Sequence, residues 1–436
     1  MKKTDSIGVS GGFHDAQGLP TRNKVWIVTG SALGLAFGFS PFFGVSGVFM
    51  KPLAESFNWG RADVALLPML AMLGNAIGAL IVGILADRIG WKRVIGAAIV
   101  MFSLALLMLS RIPPNHLLFA LIGGLIGLTG AATSAAGYIA ILPDAFDKRL
   151  GMALSFAMIG TGLGGFVMPI FSQKLLGFMD WRSAYMTIAA CALVFGLLAH
   201  RVIFHNFKGM DPVRAKDRET RIQVEDEGEG ITFREALKTP RFWLLAFVFF
   251  FVSCSVLGGY VHLPPYLSDR GLGRDVGAQA AATVGIGLMV ARVGLGAMLD
   301  RVFAPIVATV AFLASAVVFW VLTTDMIKTP GIVTLCALVW GMSIGSEGDL
   351  IPYIARRYFG RRELSSIYGA LFGASTLGGA VGPFLYGLAF DHLHTYASIH
   401  LVSAVVCVVC AGGILLIGRY PGRERTTGQL GHAAPH

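Results

Sequence analysis

The sequence predicts an all-α membrane protein of twelve transmembrane helices in two six-helix halves. Three observations carry this. The 436 residues are 55% hydrophobic and only 14% charged, against roughly 25% charged residues in ordinary soluble domains. Twelve windows of about 20 apolar residues recur, each long enough to cross a hydrocarbon core of roughly 30 Å as a helix. Two pairs of motifs then repeat at a spacing of 213 residues.

In order along the chain, residues 1–23 are polar and lack the apolar core and small-residue cleavage site of a signal peptide, so they read as an amino-terminal tail. Spans follow near 25–50, 62–86, 93–110, 117–142, 151–175 and 182–203, giving a first half over 24–203. A charged linker, 204–240, leads to a second half over 241–420, with spans near 241–268, 276–299, 303–322, 331–354, 364–388 and 397–418. Residues 421–436 form a second tail. The runs are continuously apolar and do not alternate, which excludes a spanning β-barrel. Within the linker, "TFREALKTPRFW" from Thr232 predicts a capped amphipathic helix lying at the inner surface. Trp26, Trp59, Trp91, Trp181, Trp243 and Trp320 fall near span ends, where indole rings prefer the headgroup region; Trp340 lies inside a span. Cys407 and Cys410 are spaced C-x-x-C, but on an apolar last span with no second pair, so they are expected to pack rather than to bind metal.

With twelve spans both termini and the linker share one face. That face holds 26 Lys and Arg and the other holds 8, so positive-inside asymmetry predicts cytoplasmic termini in a multi-pass protein of a cell inner membrane. The net charge of +10 follows from this asymmetry, and no nucleic-acid partner is needed to explain it. No Gly-Lys dipeptide occurs, so a phosphate-cradling loop is absent and ATP is not the direct energy source. Hydrolase and metalloprotease motifs are absent from its loops as well, and no enzyme, cofactor or metal site is expected.

The repeat exposes the architecture. "GILADRIGWKR", from Gly83, and "GAMLDR", from Gly296, both contain G-x-x-x-D-R. "FDKRLGMALSFAMIGTGLGG", from Phe146, is matched by "FGRRELSSIYGALFGASTLGG", from Phe359, pairing Phe146 with Phe359, Arg149 with Arg362 and Gly160 with Gly373. The loop at Gly83, Asp87, Arg88, Gly90, Lys92 and Arg93 resembles the signature of the major facilitator superfamily, whose twelve-helix fold covers essentially the whole chain. The Phe146 stretch, "VHLPPYLSDRGL" and "MVARVGLG" are similar to its monocarboxylate and oxalate/formate branch. The resemblance implies a central passage between the halves, opened alternately to each side by rocking. It also implies that Gly83, Asp87, Arg88, Gly90 and Arg93, with Asp300 and Arg301 in the second half, latch one conformation; a purely structural role for them stays open. Glycines four apart (Gly123/Gly127, Gly160/Gly164, Gly369/Gly373, Gly378/Gly382) are expected at close helix contacts.

Ionisable groups inside a membrane are costly and usually face a cavity or a partner. Arg292 lies eight residues before Asp300, too far for comfortable snorkelling to the interface, and the 213 spacing puts Ala79 in its place in the first half. A planar, permanently charged fork suits a carboxylate, and the resemblance implies that Arg292 binds the substrate carboxylate. The chain departs from the animal carriers at Leu288 and Val45, where they have an aspartate and a lysine, and residues 364–388 lack the lysine of the oxalate branch. One fixed cation points to a monocarboxylate and leaves the proton's route open. Glu347 and Asp349 are candidates to neutralise Arg292 and carry the proton. Being two residues apart on a helix they point about 200° apart, so one of them faces Arg292; a permanent interhelical pair is the alternative. Tyr260 and His262 are expected near the outer vestibule, Trp340 against an aromatic or aliphatic cargo, and Asn75 at the cavity; packing or structural hydrogen bonding is the competing reading for each. The sequence thus predicts a monomeric secondary carrier of a small aliphatic or aromatic monocarboxylate, proton-coupled. An anion exchanger, an exporter of lipophilic compounds and a transporter-like sensor are the alternatives, the last lacking an extra domain or long tail.

Overall fold

A computed structural model of the chain describes residues 21–146, 150–207, 230–299 and 301–420. The first half contains Thr21–Phe37 and Phe42–Phe57 (together the first span), Arg61–Ile89 (second), Trp91–Ser110 (third), His116–Gly130 continuing to Ala135–Tyr138 (fourth), Leu150–Phe178 (fifth) and Trp181–Asn206 (sixth). The second half contains Pro240–Asp269 (seventh), Arg274–Leu299 (eighth), Ala304–Leu322 (ninth), Pro330–Phe359 (tenth), Leu364–Leu393 (eleventh) and Ala397–Leu415 (twelfth). In hydrocarbon every backbone polar group must be satisfied within the protein, so apolar runs of this length become helices. Among the described residues, eleven spans are long and apolar enough to cross a membrane on length and composition alone. The eighth carries Arg274, Asp275 and Arg292 and takes its place by packing between the fifth and tenth.

Two expected single helices are broken. The first span bends at 38–41, where Pro41 lacks an N–H to continue the ladder. The fourth tightens into a 3-10 turn at Ala131–Thr133. The breaks face one another, because a Cβ at Gly38 would collide with the Thr133 carbonyl and one at Gly34 with the Tyr138 ring.

Packing preserves the duplication and corrects its register. A Cβ at Gly127 would meet the Ala71 carbonyl, and one at Gly341 the Val284 carbonyl; Gly74 meets the Gly124 carbonyl as Gly287 meets that of Leu338. The second and fourth spans therefore correspond to the eighth and tenth, and the equivalence of Ala79 with Arg292 follows. In the fifth and eleventh spans the spacing is one residue longer. Gly164 packs on the Ala36 carbonyl as Gly378 packs on that of Phe250, and the same added residue already separates Gly127 from Gly341 in the fourth and tenth spans. The expected pairing of Gly160 with Gly373 is thus off by one: Gly160 lies on Ala32, whereas nothing lies within 4 Å of a Cβ at Gly373.

The linker's end also differs from expectation. Helix is confined to one turn, Phe233–Ala236, capped by Thr232 and Glu235 in a capping box, whose backbone hydrogen bond from Thr232 holds the Glu235 carboxyl below the ordinary carboxylate range. This turn docks on the loop between the tenth and eleventh spans. Gly230 bridges Gly360, Ile231 N–H donates to the Phe359 carbonyl (3.0 Å) and Phe233 N–H to Glu363 (2.8 Å).

Candidate functional site

Helices approach most closely where side chains are smallest, and the eighth and tenth spans meet along Gly287, Ala291, Gly341 and Gly345. That approach brings Arg292 to Asp349, with Nη1 donating to Oδ1 at 3.1 Å. Gly348 leaves room for the guanidinium, since a Cβ there would lie 3.4 Å from Nη2. The pair is half-buried, Arg292 being 19% exposed and Asp349 37%. A guanidinium has five N–H donors in a fixed fork. Here the Asp349 contact engages Nη1, and Nε is buried without a partner. Tyr368 of the eleventh span lies within electrostatic reach of both charges.

The face on which Arg292 stands decides its use. Gly285 and Met289 of the eighth span touch the fifth span of the other half, at Gly162, Gly165 and Phe166. Arg292 follows three residues after Met289 and seven after Gly285, so it continues that stripe, about one turn closer to the end that bears both chain termini. It faces the opposite half on the terminal side of the contact between Met289 and Gly162. Gly369 and Gly373 of the eleventh span, on the same side, also meet nothing within 4 Å.

Toward the other end the halves are closed. Asp269 accepts ion pairs from Lys51 (2.7 Å) and Arg61 (2.6 Å), Arg274 reaches Glu55 (3.1 Å), and the Arg61 and Ala62 N–H groups donate to Asp391 (each 2.8 Å). The Arg61 guanidinium also stacks 3.6 Å from the Phe390 ring centroid and donates to Tyr396 Oη at 2.6 Å. His262 belongs to this closure. It is fully buried, with Nδ1 2.8 Å from Tyr396 Oη and Nε2 2.8 Å from the Pro383 carbonyl, so the expected vestibule-lining histidine instead has both ring nitrogens taken by the protein. Tyr260, two residues away, reaches across to Gly44 of the first half.

Other expected site residues are placed elsewhere. Trp340 is 1% exposed and packs edge-on against Phe319 (ring centroids 5.0 Å apart) and over Gly259; it belongs to the core of the second half, not to a passage. Asn75 lies between the second and fourth spans, its backbone against Gly127, and its Nδ2 is buried without a partner. Glu347 does not reach Arg292. It is buried and accepts from Ser253 of the seventh span and Ser375 of the eleventh, so the countercharge is Asp349 alone of the two carboxylates. Around the loop motif, Gly90 takes a φ of +84°, which favours glycine. Gly83 stands free, and Asp87, Arg88 and Arg93 are exposed, with no side-chain hydrogen bond or ion pair among the described residues. Arg301 is exposed, and Asp300 lies outside the described residues.

Sequence reasoning did not find Lys51, Arg61, Asp269, Asp391, Tyr396, Ser253, Ser375 or Tyr368. The charges among them sit at span ends and look like ordinary loop residues. Their partners lie up to 335 positions away.

Comparison with known proteins supports the fold. The profile of the Major Facilitator Superfamily matches residues 31–383. Monocarboxylate transporter 11 of Mus musculus is 24% identical over 417 residues, spanning 92% of this chain and 88% of that protein. The MFS-type transporter pynF of Aspergillus niger is 23% identical over 432 residues, spanning 97% and 94%. Among solved structures, a bacterial homolog of the human lysosomal transporter Spinster, in an inward-facing and unoccupied conformation, superposes with a TM-score of 0.65 at 16% identity, over 91% of this chain and 97% of that one.

Proposed function

Because the chain belongs to the Major Facilitator Superfamily, we propose that it is a secondary transporter of a small monocarboxylate, aliphatic or aromatic, moved together with a proton by alternating access. The observation that carries this reading is the unfilled fork of Arg292. A cation held inside the membrane, facing the opposite half, with a buried Nε lacking an acceptor, is a receptor for a planar anion. Asp349 occupies one arm of the fork and is the countercharge that a cargo carboxylate displaces. Similarity to a monocarboxylate transporter supports the same class of cargo.

The terminus-bearing face is taken as cytoplasmic, supported by its excess of Lys and Arg, in a cell inner membrane. On that assignment the molecule is open inward, with the Lys51, Arg61, Asp269 and Asp391 cluster as its outer gate and the Gly83 to Arg93 loop released. The two six-helix units, 24–203 and 241–420, rock about the site, and one copy of the chain is the working carrier.

The test is a thermal-stabilisation screen of the purified protein against mono- and dicarboxylates, repeated with Arg292→Ala, together with uptake of labelled acids into proteoliposomes with and without a pH gradient. Stabilisation by a monocarboxylate that vanishes with Arg292→Ala is expected. A neutral or cationic ligand whose binding ignores that substitution overturns the anion assignment. Uptake that ignores the gradient makes the carrier an exchanger.

A further inference from the structure

The second intramembrane carboxylate is organised quite differently from the first. Glu347 lies twelve residues, about 18 Å, from the inner end of the tenth span. Ser253 and Ser375 lie at matching depth, about 20 and 16 Å from the inner ends of the seventh and eleventh. Their three oxygens form a closed triangle. Ser253 Oγ is hydrogen-bonded to Glu347 Oε1, Ser375 Oγ lies 2.9 Å from the same Oε1, and the two serine oxygens are 2.8 Å apart.

Three mutual hydrogen bonds among three oxygens need three hydrogens, and each serine supplies one. With both serines donating to Oε1 the contact between their oxygens has no hydrogen of its own; a proton on Oε1 supplies the third, one serine then accepting from the acid so that each oxygen donates once and accepts once around the ring. The surroundings agree. Among the described residues no lysine or arginine pairs with Glu347, and an unpaired buried carboxylate is strongly disfavoured against its protonated form. The titratable neighbours are Cys254 beside Ser253, Tyr386 of the eleventh span and Cys407 of the twelfth. Arg292 and Asp349 lie across the tenth span from it. The ninth span contributes the Ser315 to Ser343 hydrogen bond, and from the other half residues 25–50 and 64–86 contain no titratable side chain.

We propose that the two carboxylates divide the work, Asp349 serving as the removable countercharge of Arg292 while Glu347, ringed by Ser253 and Ser375, is the seat of the co-transported proton. This rests on the reading of Arg292 as an anion site. The seventh and eleventh spans that supply the serines are also the ones that touch the first and second spans of the other half, through Tyr260 on Gly44 and Gly379 on Met72. Rocking the halves therefore strains the triangle directly. The proton enters Oε1 from outer water and leaves the same oxygen to inner water. The carboxylate left behind keeps both serine donors, and no bond other than O–H is made or broken.

The test is infrared spectroscopy of the carrier in proteoliposomes at neutral pH. A C=O stretch of a protonated carboxyl that shifts in D2O is expected in the wild type and in Asp349→Asn, and is expected to vanish in Glu347→Gln. With Ser375→Ala, which opens the ring but keeps the acid, the same band moves in frequency. Absence of the band from the wild type, or its persistence in Glu347→Gln, overturns the proposal. Uptake of labelled lactate and labelled benzoate gives the second readout. Glu347→Gln is expected to retain exchange and lose accumulation driven by a pH gradient, and accumulation equal to wild type overturns the assignment. A wild type that moves neither acid counts against the anion reading, while the infrared band still decides for or against the protonated Glu347.

Discussion

Replacing Asp349 by asparagine separates a binding site from a scaffold. If Asp349 competes with the cargo for Arg292, its removal tightens anion binding, whereas removal of Arg292 abolishes it. Hydrogen bonds to charged groups contribute about 1.5–3 kcal/mol net. Asp349 is 37% exposed, so screening by solvent places this pair at the lower end. At about 1.4 kcal/mol per tenfold, Asp349→Asn should tighten the site about tenfold. The cost falls on turnover. An empty carrier with a bare guanidinium must desolvate an unpaired charge when it closes, so net uptake slows while exchange of internal for external anion persists. Calorimetric titration of wild type, Asp349→Asn and Arg292→Ala with the acid found in the stabilisation screen measures the first effect, and counterflow against net uptake in proteoliposomes measures the second. The reasoning is refuted if Asp349→Asn weakens binding as much as Arg292→Ala does, because the pair would then be holding the eighth and tenth spans together rather than guarding a site.

Three further outcomes follow from the packing. Asp269→Asn frees Lys51 and Arg61 at once; with at most about 1 kcal/mol for each such pair, it should raise the outward-open population by up to about thirtyfold, seen as a longer component between spin labels at Phe178 and Asp325, and an unchanged distance distribution would reject the gate. Gly287→Leu pushes a side chain into the tenth span and should cost about 1–3 kcal/mol as overpacking, while Gly373→Ala, with free space around it, should stay within about 0.5 kcal/mol; thermal unfolding in detergent compares them. Trp340→Ala should cost about 3–5 kcal/mol of stability and leave anion affinity unchanged, so a selective loss of affinity in the folded variant would return Trp340 to the site.

The spans were legible because hydrocarbon imposes one rule on every backbone, and about 20 apolar residues announce it. What escaped were features set by a partner helix. The break that Pro41 makes at 38–41 meets the one at 131–133 where Gly38 leans on Thr133, and neither sequence alone states that meeting. The register error in the eleventh span has a similar origin. Glycine is frequent enough there that Gly160 finds a match at Gly373 as readily as Gly164 finds Gly378, and the longer spacing became visible through the carbonyls each glycine touches. At the site, the residue types and the 200° rule foretold that one carboxylate alone would meet Arg292. Which one depended on the rotation of the tenth span, set by Gly341 and Gly345 against the eighth.

That rotation explains why both carboxylates are needed on the proposed reading. Below Gly162 the fifth span continues with Met158 and Ile159, apolar side chains that would cover the Arg292 stripe as the inner ends come together. An uncompensated guanidinium resists such burial, because removing one partner of a buried pair costs about 3–5 kcal/mol. The guanidinium passes through closure with Asp349 on it or with a cargo carboxylate on it. When cargo takes the fork, Asp349 is left as the spare charge and stays on the half-exposed side, where water can hold it. Glu347 faces no such exchange of partners, since its Oε1 is tied to two serines whichever anion occupies Arg292. A proton bound there is thus insulated from the anion's coming and going, and answers instead to the movement of the seventh and eleventh spans against the other half. Coupling then needs no direct contact between proton and cargo. Both bias the same rocking motion, from opposite faces of one helix.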